Sequence, residues 1–204
     1  MTKIKLCGLT REEDIIAVNA LQPDYAGFVF APKSKRLLTK EKAKVLREQL
    51  QKEIQTVGVF QNNPLEEVVE LVQTGIISVV QLHGAETNGY LQSLREQVDC
   101  VIIQAVGINA LEDIEKANTS IADFVLLDKP GGGTGETFPH SLLEHMKREY
   151  FLAGGLGAEN VEGLVKTYHP YGVDVSSKIE TEGKKDPEKM KAFVELVRAC
   201  EKDL

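Results

Sequence analysis

Residues 54–73 read IQTVGVFQNNPLEEVVELVQ, and this stretch carries the pattern that decides the fold. Its first seven residues form a short apolar run rich in β-branched side chains, which is typical of a strand covered on both faces. Asn63 and Pro64 follow as the predicted N-cap and first residue of a helix. Apolar residues then recur at helical spacing, at Leu65, Val68, Val69 and Val72. The stretch therefore predicts one strand–helix unit of a parallel sheet.

The same unit recurs along the rest of the chain. Strands are predicted over residues 3–7, 25–30, 54–60, 77–82, 100–106, 124–128, 150–153 and 172–176. A helix is predicted after each of them, including one near residues 139–147 and one from about residue 158. Thr10 and Glu13 form a capping box at the predicted start of the first helix, and Asp186 with Pro187 begin the last.

Eight strand–helix units in 204 residues match the lower size limit of the (β/α)8 TIM barrel. A doubly wound open sheet normally uses fewer units and is the second interpretation. No linker or low-complexity segment interrupts the alternation, so we predict a single domain over residues 1–204.

Composition excludes several classes of function. The formal net charge is -7, which disfavours nucleic acid as a partner because its phosphates need clustered Lys and Arg. The three cysteines, Cys7, Cys100 and Cys200, have no metal-ligand spacing, and an odd number argues against a disulfide framework. With no secretory signal and no membrane-length apolar stretch, a cytoplasmic location is expected. The oligomeric state is not predicted.

Unusual residues collect where the strands of such a barrel end, which is where TIM barrels place their sites. Residues 152–157 read LAGGLG between a strand and a helix, and Gly154 and Gly155 would let main-chain N–H groups approach an anion. Ser176 and Ser177 end the eighth strand and would add hydroxyl donors. The alternative is a tight turn that needs glycines for its geometry alone.

Four further side chains are candidates, each with an alternative explanation. Cys7 ends the first strand, where a cysteine is either a small buried hydrophobe or a reactive group. Asp128 ends the sixth strand as a loop cap or a functional carboxylate. Arg36 lies in a basic loop that is either solvated or a carboxylate clamp. His83 could bind substrate or a metal, although the other histidines do not fall at strand ends.

The glycine-rich residues 130–137, PGGGTGET, are only weakly specific. They follow Asp128 and could form a lid or a linker. They do not form a phosphate-binding loop of the Walker A type, since no Gly-Lys-Ser/Thr ends them.

Seven collinear segments together resemble the phosphoribosylanthranilate isomerase family. They are KLCGLT (5–10), GFVFAPKSKR (27–36), VGVFQN (57–62), VQLHG (80–84), LLDKPGGGTGETF (126–138), LAGGL (152–156) and GVDVSSKIE (172–180). The sequence departs from the pattern in three places: Lys178 stands for a usual Gly, Pro139-His140 for an Asp-Trp pair, and Lys33 for a common Arg.

The resemblance implies a TIM barrel that carries out an Amadori rearrangement of a phosphosugar in tryptophan biosynthesis, without cofactor or metal. It implies Cys7 as the general base, Asp128 as the general acid and Arg36 as the ligand of the anthranilate carboxylate. His83 would contact substrate, while Gly154, Gly155, Ser176 and Ser177 would hold the phosphate. Rival interpretations are another phosphosugar enzyme on this barrel, such as a pentose-phosphate epimerase, and a catalytically inactive phosphosugar-binding protein.

Overall fold

The computed structural model of the protein describes residues 1–130 and 137–200. Eight parallel strands pair in chain order, and β1 pairs with β8, so the sheet closes into a barrel. The strands are β1 (Lys3–Cys7), β2 (Tyr25–Val29), β3 (Gln55–Phe60), β4 (Val79–Leu82), β5 (Val101–Gly107), β6 (Phe124–Asp128), β7 (Tyr150–Leu152) and β8 (Gly172–Val175). The predicted fold class is confirmed.

Helices cover the outside of the barrel. They are α1 (Glu12–Leu21), α2 (Lys40–Gln49), α3 (Leu65–Gln73), α4 (Asn88–Arg95), α5 (Leu111–Thr119), α6 (Val161–Tyr168) and α7 (Pro187–Ala199). None of the helices in the described ranges is long and apolar enough to cross a membrane.

The connection after β6 differs from the prediction. In place of an α-helix near residues 139–147, the described part of this connection holds a 3-10 segment, His140–His145. A short antiparallel hairpin was also not predicted: β9 (Glu180–Thr181) pairs with β10 (Lys184–Lys185) between β8 and α7. Strands of two residues carry too little apolar periodicity to be recognised in a sequence.

Two predicted helix caps are shifted along the chain. Arg11, not Thr10, is the N-cap of α1, and it is Asp14, not Glu13, that accepts hydrogen bonds from the main-chain N–H groups of Thr10 and Arg11. Pro64 rather than Asn63 is the N-cap of α3. Asp186 caps α7 as predicted, accepting from the N–H groups of Glu188 and Lys189.

The core has two layers, one between strands and helices and one inside the barrel. Alternate strand residues fill the inside, as the two-residue period of a strand requires. Tyr25 and Phe151 meet edge to face there, with ring centroids 5.5 Å apart. Inward positions closer to the carboxyl ends of the strands carry polar side chains instead, and these form the site.

Candidate active site

A cavity of about 400 Å³ opens at the carboxyl ends of the strands. It brings together five of the predicted residues, Cys7, Arg36, His83, Asp128 and Ser176. A second cavity of about 40 Å³ is lined by the other three, Gly154, Gly155 and Ser177. Both cavities are lined by Asp128, Asp174 and Ser176, so the two adjoin along one wall.

Cys7 is the last residue of β1 and is 6% exposed. Its sulfur lies against Gly27 on β2, where an added Cβ would stand only 2.7 Å from Sγ. Because Gly27 has no side chain, it leaves the space that the Cys7 side chain occupies. Burial raises the pKa of the Cys7 thiol, and the Lys5 ammonium opposes this rise without cancelling it.

Asp128 ends β6, and its carboxylate is held from two sides. Oδ1 accepts a hydrogen bond from the Lys129 N–H at 2.7 Å, and Oδ2 lies 3.5 Å from His83 Nε2. Gln81 Nε2 stands 3.1 Å from the other ring nitrogen of His83. If the Gln81 amide donates there, the His83 proton sits on Nε2 and faces Asp128. His83 thus contacts the carboxylate directly.

Arg36 reaches the cavity, but part of its guanidinium is already bound. Nε and one Nη donate to the two carboxylate oxygens of Glu180, at 2.6 and 2.9 Å. A guanidinium carries five N–H donors, so this fork leaves the opposite edge for a second carboxylate. Lys33 and Lys35 line the same wall and add positive charge to it.

Gly154 and Gly155 follow β7 in the left-handed region, with φ of 81° and 65°. Glycine adopts this conformation without strain and, having no side chain, lets the main chain approach a ligand closely. Within residues 1–130 and 137–200, no hydrogen bond engages either N–H group. The predicted helix start is wrong here, since α6 begins at Val161 and not near residue 158. Gly154 and Gly155 therefore line the small cavity as loop residues and not as the first turn of a helix.

Ser176 does not present its hydroxyl as predicted. Its Oγ donates to the Cys7 carbonyl at 3.1 Å and accepts from Lys185 Nζ at 3.3 Å. Lys185 is buried and also donates to Glu180 at 2.8 Å. The Ser176 side chain thus links β8 to β1. Of the two predicted hydroxyl donors, Ser177 is the one that stays a candidate for binding an anion.

The three departures from the family pattern lie in different surroundings. Lys178 points to solvent and pairs with Glu159 at 2.8 Å. Lys33 lines the large cavity. His140 packs edge to face on Phe138 with centroids 5.1 Å apart, and burial lowers the His140 pKa. Residues 131–136 of the glycine-rich segment lie outside the described ranges.

Sequence reasoning missed four charged residues beneath and beside the site: Lys5, Asp174, Glu180 and Lys185. A signal was present for the first two, because each stands two residues before a predicted site residue, on the same face of its strand. A charge at an inward position of an apolar strand run needs a partner. Glu180 and Lys185 gave no such signal, since they lie in the unpredicted hairpin.

Histidine, cysteine and carboxylate side chains do not gather as metal ligands in the described ranges: no group of three or more is placed to hold an ion. The titratable side chains of the cavity instead pair with one another and with cations. This arrangement therefore offers an acid, a base and groups that can bind anions.

Comparison with known proteins agrees with this arrangement. A family model described as N-(5'phosphoribosyl)anthranilate (PRA) isomerase matches residues 4–196. The chain belongs to the phosphoribosylanthranilate isomerase family. An N-(5'-phosphoribosyl)anthranilate isomerase of Thermoanaerobacter pseudethanolicus is 46% identical to it, over 97% of this chain and 98% of that protein.

Solved structures of the phosphoribosylanthranilate isomerase family share the barrel. The protein from Thermus thermophilus is 32% identical, with a TM-score of 0.89 over 97% of this chain and 99% of that one. A second structure is a complex with reduced 1-(o-carboxyphenylamino)-1-deoxyribulose 5-phosphate; it is 33% identical, with a TM-score of 0.86 over 98% and 100% of the two chains.

Proposed function

We propose that this chain converts N-(5'-phosphoribosyl)anthranilate into 1-(2-carboxyphenylamino)-1-deoxyribulose 5-phosphate, with Cys7 as general base and Asp128 as general acid. One observation carries the proposal: Cys7 and Asp128 line a single cavity between a basic wall at Arg36 and a glycine cavity at Gly154 and Gly155. The substrate has the matching order of groups, a carboxylate, a ribose and a phosphate.

The two anionic ends would bind at the two ends of the combined cavity. The anthranilate carboxylate takes the open edge of the Arg36 guanidinium, whose other edge Glu180 holds in place. The phosphate takes the N–H groups of Gly154 and Gly155 together with Ser177, where loops after strands 7 and 8 of this fold commonly bind phosphate. The ribose then lies between them, in reach of Cys7 and Asp128.

The reaction needs one acid and one base. Asp128, as the carboxylic acid, protonates the ring oxygen while the C1'–O bond breaks and the anthranilate nitrogen forms a C=N bond. The Cys7 thiolate then removes the C2' proton, and the C2'–H electron pair forms the C1'=C2' bond while the π pair of the C=N bond returns to the anthranilate nitrogen. The resulting enolamine tautomerises to the ketone. Each proton transfer contributes about 10²–10⁴-fold to the rate.

His83 has a supporting place in this scheme. Its Nε2, 3.5 Å from Asp128, would orient the carboxylate and contact the substrate at the same wall. We extend the proposal to a single cytoplasmic domain that works without cofactor, because the acid–base chemistry requires none.

A turnover assay tests the proposal. The fluorescence of phosphoribosylanthranilate is followed with and without the purified protein, and the expected result is a loss of signal that depends on protein concentration. A folded protein that binds the reduced product analogue but gives no turnover would identify a binding protein instead. Turnover of a pentose 5-phosphate with none of phosphoribosylanthranilate would favour an epimerase.

A further inference from the structure

We propose that the buried Lys5 is the positioning residue that sets the protonation state of Cys7, by holding an ammonium group against the cysteine sulfur inside the barrel. This proposal rests on the proposed function only in so far as Cys7 acts as the base. Its structural part concerns the free protein and is testable without substrate.

Strand geometry places the two side chains together. Lys5 and Cys7 are two residues apart on β1, so both point into the barrel on the same face. Lys5 is fully buried, with 0% of its surface exposed. Its register partner on the neighbouring strand is Asp174 of β8, which lies directly beside it. A lysine in such a place needs a reason, because burying an ammonium is costly unless it is paired.

Asp174 pairs with the charge of the Lys5 ammonium but does not use all of its N–H donors. Lys5 Nζ and Asp174 Oδ1 lie 3.0 Å apart as an ion pair. Neither atom has a hydrogen-bond partner of acceptable geometry among the described residues. An ammonium has three donors, so at least two remain for a second acceptor on the same side of the barrel. Cys7 lies two residues along β1 on the same face, so we assign its deprotonated sulfur as that second acceptor.

The balance of charges around Cys7 fits this role. Burial raises the pKa of its thiol, Lys5 opposes the rise, Asp174 adds to it, and Lys185 on the hairpin opposes it again. Burial likewise works against the charge on Lys5, but Asp174 and Cys7 outweigh it and raise the Lys5 pKa, which keeps the ammonium charged. The other charged or titratable groups that line the cavity are Asp128, His83, Lys33, Lys35 and Arg36.

Lys5 moves no proton in this scheme. The C2'–H bond breaks, the S–H bond forms on Cys7, the C2'–H electron pair passes into the new C1'=C2' bond, and the C=N π pair returns to the anthranilate nitrogen. Lys5 keeps its proton and stabilises the negative sulfur before the transfer. Its contribution is therefore to the fraction of Cys7 present as thiolate, and not to substrate binding.

The first experiment measures that fraction directly. Cys7 is alkylated with iodoacetamide over a series of pH values, and the Cys7 peptide is quantified by mass spectrometry. In Lys5→Met the midpoint should rise by at least about one pH unit, which lowers the thiolate fraction about tenfold near neutrality. Lys3→Met is the matched control, since Lys3 lies on the same strand but pairs with Asp24. Its midpoint should not move.

Turnover gives a second readout that a purely structural role would not change in this way. Turnover needs Cys7 ionised while Asp128 is still protonated, so in Lys5→Met kcat/KM near neutrality should fall about tenfold and its alkaline limb should shift upward with the alkylation midpoint, while KM stays near its original value. An unmoved alkylation midpoint in folded Lys5→Met overturns the proposal. If the midpoint moves but the pH profile of kcat/KM does not, Lys5 controls the thiol and it is the assignment of Cys7 as the base that fails.

Loss of Lys5 alone leaves Asp174 buried and unpaired, which could prevent folding. The charge-neutral pair Lys5→Met with Asp174→Asn avoids this and should also raise the alkylation midpoint. A measurement on the unmodified protein needs no such variant: the NMR signal of the Lys5 side chain should inflect at the pH where Cys7 ionises and lose that inflection in Cys7→Ser. A Lys5 signal that is flat through this pH overturns the proposal.

Discussion

At the scale of single residues, the site works by pairing each reactive group with a second one. The Arg36 guanidinium is held by Glu180, and the Asp128 carboxylate by the Lys129 N–H and His83. The main-chain carbonyl of Cys7 accepts a hydrogen bond from the Ser176 hydroxyl. Groups that are held in this way keep their position without substrate, so binding energy is not spent on ordering them. Substituting one of these residues should therefore change either the rate of the chemical step or the binding of a single substrate group.

Cys7 and Asp128 should affect rate far more than binding. Cys7→Ser replaces a thiolate by a much weaker base, and Asp128→Asn cannot protonate the ring oxygen. We expect kcat to fall at least about 10²-fold in each, with affinity for the reduced product analogue nearly unchanged. Melting temperature, analogue affinity and kcat are measured together. A folded Cys7→Ser protein with near-normal kcat would remove Cys7 from the mechanism.

Arg36 should affect binding of one ligand group. Arg36→Ala is expected to lose about 1.5–3 kcal/mol of affinity for the reduced product analogue, the usual contribution of a charge-assisted hydrogen bond. Arg36→Lys keeps the charge but not the fork, so its loss should be intermediate. An analogue without the carboxylate should bind all three proteins alike in calorimetry. Lys44→Ala, on an exposed face of α2, removes the same charge as a control.

At the scale of elements, the position of Cys7 depends on how closely β1 and β2 approach. Gly27 is the register partner of Cys7, and a Cβ there would lie 2.7 Å from Sγ and 2.9 Å from the Cys7 Cα. The main-chain atom cannot move without disturbing the pairing of the two strands. Element packing therefore sets where the sulfur stands in the cavity.

Gly27→Ala should consequently cost both stability and rate. Overpacking of this kind costs about 1–3 kcal/mol of unfolding free energy, and displacement of the sulfur should lower kcat by more than about tenfold, since near-attack geometry is lost. Gly163→Ala on α6 is the matched control, as its Cβ would meet no atom within 4 Å. That control should gain up to about 1 kcal/mol and keep its kcat. Urea unfolding and initial rates give both quantities, and equal kcat values in the two variants would contradict the argument.

Sequence patterns predicted the strands well because each strand of a closed parallel barrel is apolar for most of its length. They failed at the caps of α1 and α3, where several polar residues in a row compete for one position. They also missed Glu180 as the partner of Arg36, because the two residues are 144 apart in the chain and a long-range ion pair leaves no local pattern. Strand ends located Cys7, His83 and Asp128, but only the assembled barrel shows that Ser176 is occupied.

At the scale of the whole molecule, the His, Cys, Asp and Glu side chains of residues 1–130 and 137–200 do not gather anywhere in a group of three or more that could hold a metal ion. The chemistry they offer needs an acid and a base, which protein side chains supply. Activity is therefore expected to survive exhaustive dialysis against EDTA, measured by the fluorescence assay with the same protein before and after treatment. Loss of turnover that a divalent ion restores would count against a metal-free mechanism.

The pairing of β1 with β8 has a consequence for how the protein is made. Cys7 lies on the barrel strand that is synthesised before the other seven, whereas Asp174 and Ser176 follow about 170 residues later, and at synthesis rates of about 5–20 residues per second that interval lasts many seconds. Until β8 docks, the inward lysine and thiol of β1 face an open edge that other strands could pair with. The site is thus completed only when β8 closes the barrel. A nascent chain that lacks β8 already carries both proposed catalytic side chains, Cys7 and Asp128, but it lacks one wall of the barrel that surrounds them.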